Sequence, residues 1–175
     1  MKPAKLVVKE SFTVIGVSNK GSHQNSEDDD VIKHLWGEMK TRYKEVDVEA
    51  ETITGVCLPP RSDDYFYIAG VESDKIVNLP IGMKSFTFPA CQYLVFLHEG
   101  HINTLFDTYH QIWNVLLPES SYQLAEGPEL EVVHIQQDLN PYSDDYVMEI
   151  WIPVQNANIS HSIPVGKKGS IKACS

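Results

Sequence analysis

The segments Glu129–Ile135, ELEVVHI, and Tyr146–Val154, YVMEIWIPV, decide the fold. Both are rich in β-branched and aromatic residues, and the polar, turn-prone stretch Gln136–Asp145 separates them, so they read as two strands. Alternation at period two puts Glu131 on the face of Val133 and Ile135, and Glu149 on the face of Trp151. A carboxylate among apolar neighbours is costly to bury unless something pairs with it, inside the protein or on a ligand. Glu131 has apolar flanks on both sides, whereas Glu149 can simply face solvent.

Working back from these strands, Ile102 to about Leu117 carries an apolar stripe at helical spacing: Ile102, Leu105, Phe106, Tyr109, Ile112, Trp113 and Leu116. Pro118 ends this helix. Before it, Phe86–His98 is strand-like from Cys91 onward, and Glu99-Gly100 breaks it. The order is β-α-β-β. The first half of the chain repeats it. Lys5–Ser18 reads as a strand and NKGSHQNSEDDD as a loop, with Asp28 to Asp30 placed to cap a helix from Asp29 to Tyr43. Ile32, Leu35, Trp36, Met39 and Tyr43 form that helix's stripe. The strands Thr52–Leu58, stopped by Pro59-Pro60, and Tyr65–Glu72 follow. On the latter, Tyr65, Tyr67, Ala69 and Val71 share a face. A connector, Val77–Gly82, joins the halves, which form a weak internal duplication.

Two such units predict an α+β domain: a duplicated β-α-β-β, with an antiparallel sheet carrying two helices on one face and a central ligand groove between them. Residues 1–155 are expected to form one domain. The polar, aperiodic stretch 156–175 is expected to be a peripheral extension.

Composition narrows the function. The formal charge of −10 argues against direct binding to nucleic acid, whose phosphates such a surface repels. No run approaches the roughly 18 apolar residues of a membrane span, and the N-terminus lacks a signal-peptide core. Cys57, Cys91 and Cys174 are widely spaced, as expected for reduced thiols in a cytoplasmic protein rather than a disulfide framework or zinc site. Cys57 and Cys91 lie in apolar strand context, which favours inert thiols. The HEGH segment, His98–His101, straddles a strand-to-helix break and lacks HExxH spacing. It reads as the start of the second helix, so neither metal nor cofactor is expected.

Trp36, Tyr67, Tyr93, Trp113 and Trp151 lie on elements able to face one groove. Each is explained individually by core packing. As a set around Glu131 they have the composition of a cage for a flat or cationic ligand, since ring faces attract cations and a buried carboxylate adds opposite charge.

The ordered segments GVCLPP (55–60), YFYIAGVE (65–72), PIGM (80–83), FPACQYLVFLHEG (88–100), LLPESSY (116–122) and LEVV…EIWIPV (130–154) resemble the GyrI-like small-molecule-binding domain. This is also the effector-binding domain of AraC-type and MerR-type multidrug-responsive regulators. The resemblance runs from about Val7 to Val154. It implies a duplicated β-α-β-β with a central groove for bulky, often cationic aromatic compounds. The glutamate that follows the LP-x-S-x-Y turn, here Glu131, would be the pocket's negative centre. Tyr67, Trp36 and Trp113 would be its aromatic walls. Two departures stand out: Leu116-Leu117-Pro118 replaces a common Trp-Leu-Pro, and no aromatic follows Glu131 by two positions.

No helix-turn-helix pattern is present, so a stand-alone binding protein is expected, one that sequesters hydrophobic xenobiotics. The resemblance also implies two alternatives. One is a hydrolase of DNA-alkylating, cyclopropane-containing compounds, with Glu131 activating water and Tyr67 stabilising the developing oxyanion. The other is a modulator of DNA gyrase, with that enzyme as protein partner.

Overall fold

The structure is a computed structural model describing residues 4–25, 28, 30–75, 78–137 and 140–157. In chain order its strands and first helix are β1 (Lys5–Lys9), β2 (Phe12–Ser22), α1 (Val31–Val46), β3 (Thr52–Leu58), β4 (Asp64–Glu72), β5 (Lys84–Phe88) and β6 (Cys91–Glu99). A helical segment follows, and then β7 (Tyr122–Leu124), β8 (Glu129–His134) and β9 (Val147–Asn156). The helical segment is not the single helix its stripe suggests. It opens with a 3-10 turn, Ile102–Thr104, continues as α2 (Leu105–Gln111), and widens into a π turn, Ile112–Leu116. It closes with α3 (Leu117–Glu119), so Pro118 sits inside the last turn, near its start.

The strands form one antiparallel sheet in the order β1-β6-β9-β8-β3-β4-β2-β5, with β7 on the end of β9. The inner six, β6-β9-β8-β3-β4-β2, read as two matching halves about the central β3·β8 seam. These halves are the units β2-α1-β3-β4 and β6-α2-β8-β9. The duplicated α+β architecture expected from the sequence is therefore present.

The first strand is not continuous. It breaks between Lys9 and Phe12, and its partner breaks at Pro89 and Ala90. Register nevertheless continues without slip across the break: Lys9 faces Cys91 and Phe12 faces Phe88. Proline has no amide hydrogen to continue the ladder, so both long strands bend there. Each thereby passes from one end of the sheet to the other, and the sheet curls onto itself. Past Ser18, residues expected to be loop stay in β2, because Asn19–Ser22 pair with Tyr67–Asp64 of β4. β7 had no signal in the sequence; three residues held by β9 need little of their own.

Two cores lie on the helix face. Leu35 and Met39 of α1 pack on Ile15, Ile53, Ala69 and Val71, and Ile112 packs on Phe96, Met148, Ile150 and Ile152. Trp36 touches both and joins the halves. A third core, including Phe12, Phe88, Tyr93 and Leu130, fills the inside of the curl on the opposite face. Each such side chain contributes about 1.5–3 kcal/mol on burial.

The acidic cluster before α1 is not a side-chain cap. Asp30 occupies the N-cap position without a capping hydrogen bond, while the Asp28 carboxylate accepts the Ser22 amide at 3.1 Å. Asp29 and residues 158–175, the greater part of the expected peripheral extension, lie outside the described residues. Among the described residues no helix is long and apolar enough to cross a membrane.

Candidate functional site

The groove lies over the β3·β8 seam, between α1 and the helical segment that follows β6. It holds two cavities of about 520 and 620 Å³. Ile32 of α1 and Leu105 of α2 line both, and so does Glu131 of β8, which forms their common floor. Trp36, Tyr142, Tyr146 and Met148 enclose the first chamber. Cys57, Tyr67, Tyr109, Trp113 and Glu129 enclose the second, with His23 and Arg61 also on its lining.

Glu131 is held by two phenols. Tyr67 Oη donates to its Oε1 at 2.6 Å, and Tyr109 Oη donates to its Oε2 at 3.1 Å. Trp36 Nε1 donates in turn to Tyr67 Oη at 2.8 Å. The network fits because Gly55 lies opposite Glu131 and has no side chain to fill the space. Burial pushes the Glu131 carboxyl above its usual range, and the two phenol hydrogen bonds oppose that rise. Burial and the glutamate charges hold Tyr67 and Tyr109 well above the ordinary tyrosine range, so both remain donors. Among the described residues, no lysine or arginine forms an ion pair with Glu131 or with Glu129.

Sequence reasoning missed two members of the site: Tyr109, placed only in a helical stripe, and Glu129. Glu129 lies two residues before Glu131 on the same strand face and is only 7% exposed. Burial, then the Glu131 charge, push it up to about 8, and Tyr109 works against that rise. Tyr109 has one proton, which goes to Glu131. With its carboxyl pushed up to about 8, Glu129 keeps its own proton near neutral pH, and Glu131 is the carboxyl that the two phenols hydrogen-bond. The signal was in the Glu-Leu-Glu alternation that opens β8.

The sequence pattern that defines the GyrI-like small molecule binding domain matches residues 3–155. The chain belongs to this family. It is similar to the transcriptional regulator BrlR of Pseudomonas aeruginosa, 27% identical over 153 residues, covering 86% of this chain and 55% of BrlR. The chain thus spans about half the length of that relative. Its fold is that of SAV2435, solved bound to tetraphenylphosphonium, with a TM-score of 0.67, 18% identity, and coverage of 93% of this chain and 98% of that one. The EcmrR C-terminal domain is also similar, at a TM-score of 0.59, 13% identity, and coverage of 87% and 97%. A hydrolase from Listeria innocua shares the fold more distantly, at 0.52, 11% identity, and coverage of 87% and 92%.

In this GyrI-like domain four of the six residues singled out from sequence meet at the groove: Trp36, Tyr67, Trp113 and Glu131. Tyr93 and Trp151 do not. Glu131 pairs with Ile150 across the β8·β9 ladder, so Ile150 shares the groove face and Trp151, opposite Leu130, turns away. Tyr93 packs edge-on against Trp151 on that far face, at 5.6 Å between ring centres, and its hydroxyl donates to the Pro128 carbonyl at 3.0 Å. Glu149 is also on that face, where His134 and the Trp151 indole, at 3.0 Å, hydrogen-bond it.

The π turn presents Trp113 to the second chamber while Ile112 stays buried. Arg61 lies over the Trp113 ring, 5.2 Å from its centre. Burial pushes the Cys57 thiol far up, as expected for an inert side chain. The HEGH histidines have structural roles. His98 is buried and bonded to Thr108 Oγ1 and the Gly100 carbonyl, and His101 accepts the Asn103 amide at the start of the 3-10 turn.

Proposed function

We propose that the groove captures bulky or planar aromatic organic cations, with Glu131 as the counter-charge and Trp36, Tyr67 and Trp113 as ring-bearing walls. One observation carries this reading. A carboxylate sits on the floor of two apolar chambers, oriented by two phenols and without a lysine or arginine ion pair among the described residues. A half-buried anion on an apolar floor is costly unless a positive charge reaches it. A cation with aromatic surface offsets the charge and buries its rings against the walls. The tetraphenylphosphonium bound by SAV2435 is a compound of this class.

The test compares two ligands of one shape, N-methyl-4-phenylpyridinium and uncharged 4-methylbiphenyl. Glu131→Gln is expected to weaken the cation by about tenfold, equivalent to about 1.4 kcal/mol, and to leave the neutral compound nearly unchanged. Equal losses would overturn the electrostatic role. Mass spectrometry of the bound mixture then separates capture from catalysis. Ligand recovered unchanged supports capture. A mass gain of one water over many turnovers would replace capture by hydrolysis.

A further inference from the structure

The capture reading uses one carboxyl, but the second chamber contains two. Glu129 and Glu131 are spaced i, i+2 along β8, about 7 Å apart, and both line the 620 Å³ chamber. Glu129 is 93% buried by the protein and forms no ion pair with lysine or arginine among the described residues. The hydroxyl that reaches it, Tyr109, donates its one proton to Glu131. The Trp113 ring lines the same chamber and already carries a cation, the exposed Arg61 guanidinium. The chamber thus has a second carboxyl, enclosed, beside a ring that accepts positive charge.

We propose that Glu129 is the counter-charge of a second cation subsite, and that the groove is matched to rigid aromatic dications, one charge at Glu131 and the other at Glu129. This rests on the capture reading and goes beyond it in ligand class. Three titratable groups around the subsite are neutral and do not replace the ligand's charge. Cys57 faces Glu129 across the β3·β8 ladder as a neutral thiol, and Tyr67 and Tyr109 stay protonated. His23, Arg61 and Asp63 line the same chamber; Arg61 lies over the Trp113 ring, and the His23 charge acts on Glu131.

A proton accompanies the second charge. Glu129 is pushed up to about 8, so at neutral pH its carboxyl is protonated. A cation seated there requires the carboxylate, and the displaced proton passes to solvent. Dication affinity must therefore rise with pH below about 8, by about tenfold per unit.

The experiment is calorimetric titration of the whole chain with methyl viologen and with N-methyl-4-(4-methylphenyl)pyridinium, which has the same shape and one charge fewer. It runs from pH 6 to 8 in two buffers of different ionisation heat. Methyl viologen is expected to bind more tightly at pH 8, to weaken about tenfold per unit below pH 7, and to release about one more proton per complex at pH 7. Glu129→Gln is expected to remove that proton and to bring the ratio of dication to monocation affinity close to one, whatever its effect on the monocation itself. The wild-type proton count alone decides the matter if the variant folds poorly. Monocation binding through Glu131 with no viologen advantage and no extra proton would overturn the second subsite and leave capture standing. Failure of both cations to bind would overturn both readings.

Discussion

Gly55 stands directly opposite Glu131 in the central strand pair, and the volume a side chain would occupy there is taken by the phenol that holds the carboxylate. A Cβ built at Gly55 would lie 2.0 Å from Tyr67 Oη and 2.8 Å from Trp36 Cζ2. Tyr67 is fully buried and has no room to yield. Gly55→Ala is therefore expected to break the Trp36–Tyr67–Glu131 chain and to destabilise the fold by about 1–3 kcal/mol. Cation affinity should fall as well. Thermal unfolding and ligand titration check the two effects. A variant with unchanged stability and binding would mean that the hydroxyl does not need this position.

Tyr67→Phe removes one of the two hydrogen bonds that favour the ionised form of Glu131. It also leaves the Trp36 indole N–H without its acceptor, at a cost of about 1–3 kcal/mol. With a donor to the charged form gone, the Glu131 carboxyl rises further, so more of it is protonated at low pH. Affinity for a monocation is expected to fall more at pH 6 than at pH 9. Titration across that range checks the sign; an equal loss at both ends would assign Tyr67 a purely steric role.

Much of this was legible in the sequence, for identifiable reasons. The helical stripe containing Leu35, Trp36 and Met39 fixed which side of α1 is buried, and alternation placed Tyr67 and Glu131 each on the correct face of its own strand. Alternation cannot say which faces of different strands coincide. That depends on register, and the pairing of Leu130 with Trp151 is what sends Trp151 and Tyr93 to the far side. Glu129 had the same spacing signal as Glu131 but not its apolar flanks, since it opens the strand. The role of Gly55 depended on a cross-strand neighbour and on two rings from other elements, so no local pattern announced it.

Glu129 should mark the protein's pH–stability profile. Its carboxyl is pushed up to about 8 in the folded state, against an unperturbed value of 4.5. Below about pH 4.5 both states hold the proton, and the group is neutral in its effect. As pH rises toward 8 the unfolded chain ionises while the folded one cannot, so stability is lost across that window. The loss is about 3 kcal/mol between pH 5 and pH 8. Glu129→Gln keeps the shape without the titration. It is expected to be the more stable protein at pH 8 by that order and to lose most of the advantage at pH 5. Denaturant unfolding of both proteins at the two pH values checks this. Parallel profiles would mean that Glu129 is ionised when folded.

The three tryptophans provide a direct test of which face of the sheet meets the ligand. Trp36 lines the first chamber and Trp113 the second, whereas Trp151 lies in the far-face core, with Lys9 Nζ 5.3 Å from its ring centre. Trp151→Phe is expected to cost stability, about 1–3 kcal/mol, through lost packing and the lost indole bond to Glu149. It should leave ligand affinity and the quenching of tryptophan fluorescence by bound aromatic cations intact. Replacing both Trp36 and Trp113 by phenylalanine is expected to abolish the ligand-dependent quenching, because the remaining indole is on the other side of a packed sheet. Arg61→Ala sharpens the comparison by uncovering the Trp113 ring, so quenching of that indole should grow and affinity for aromatic cations should rise a few-fold. Quenching that survives in the double variant and disappears with Trp151 would move the binding site to the opposite face.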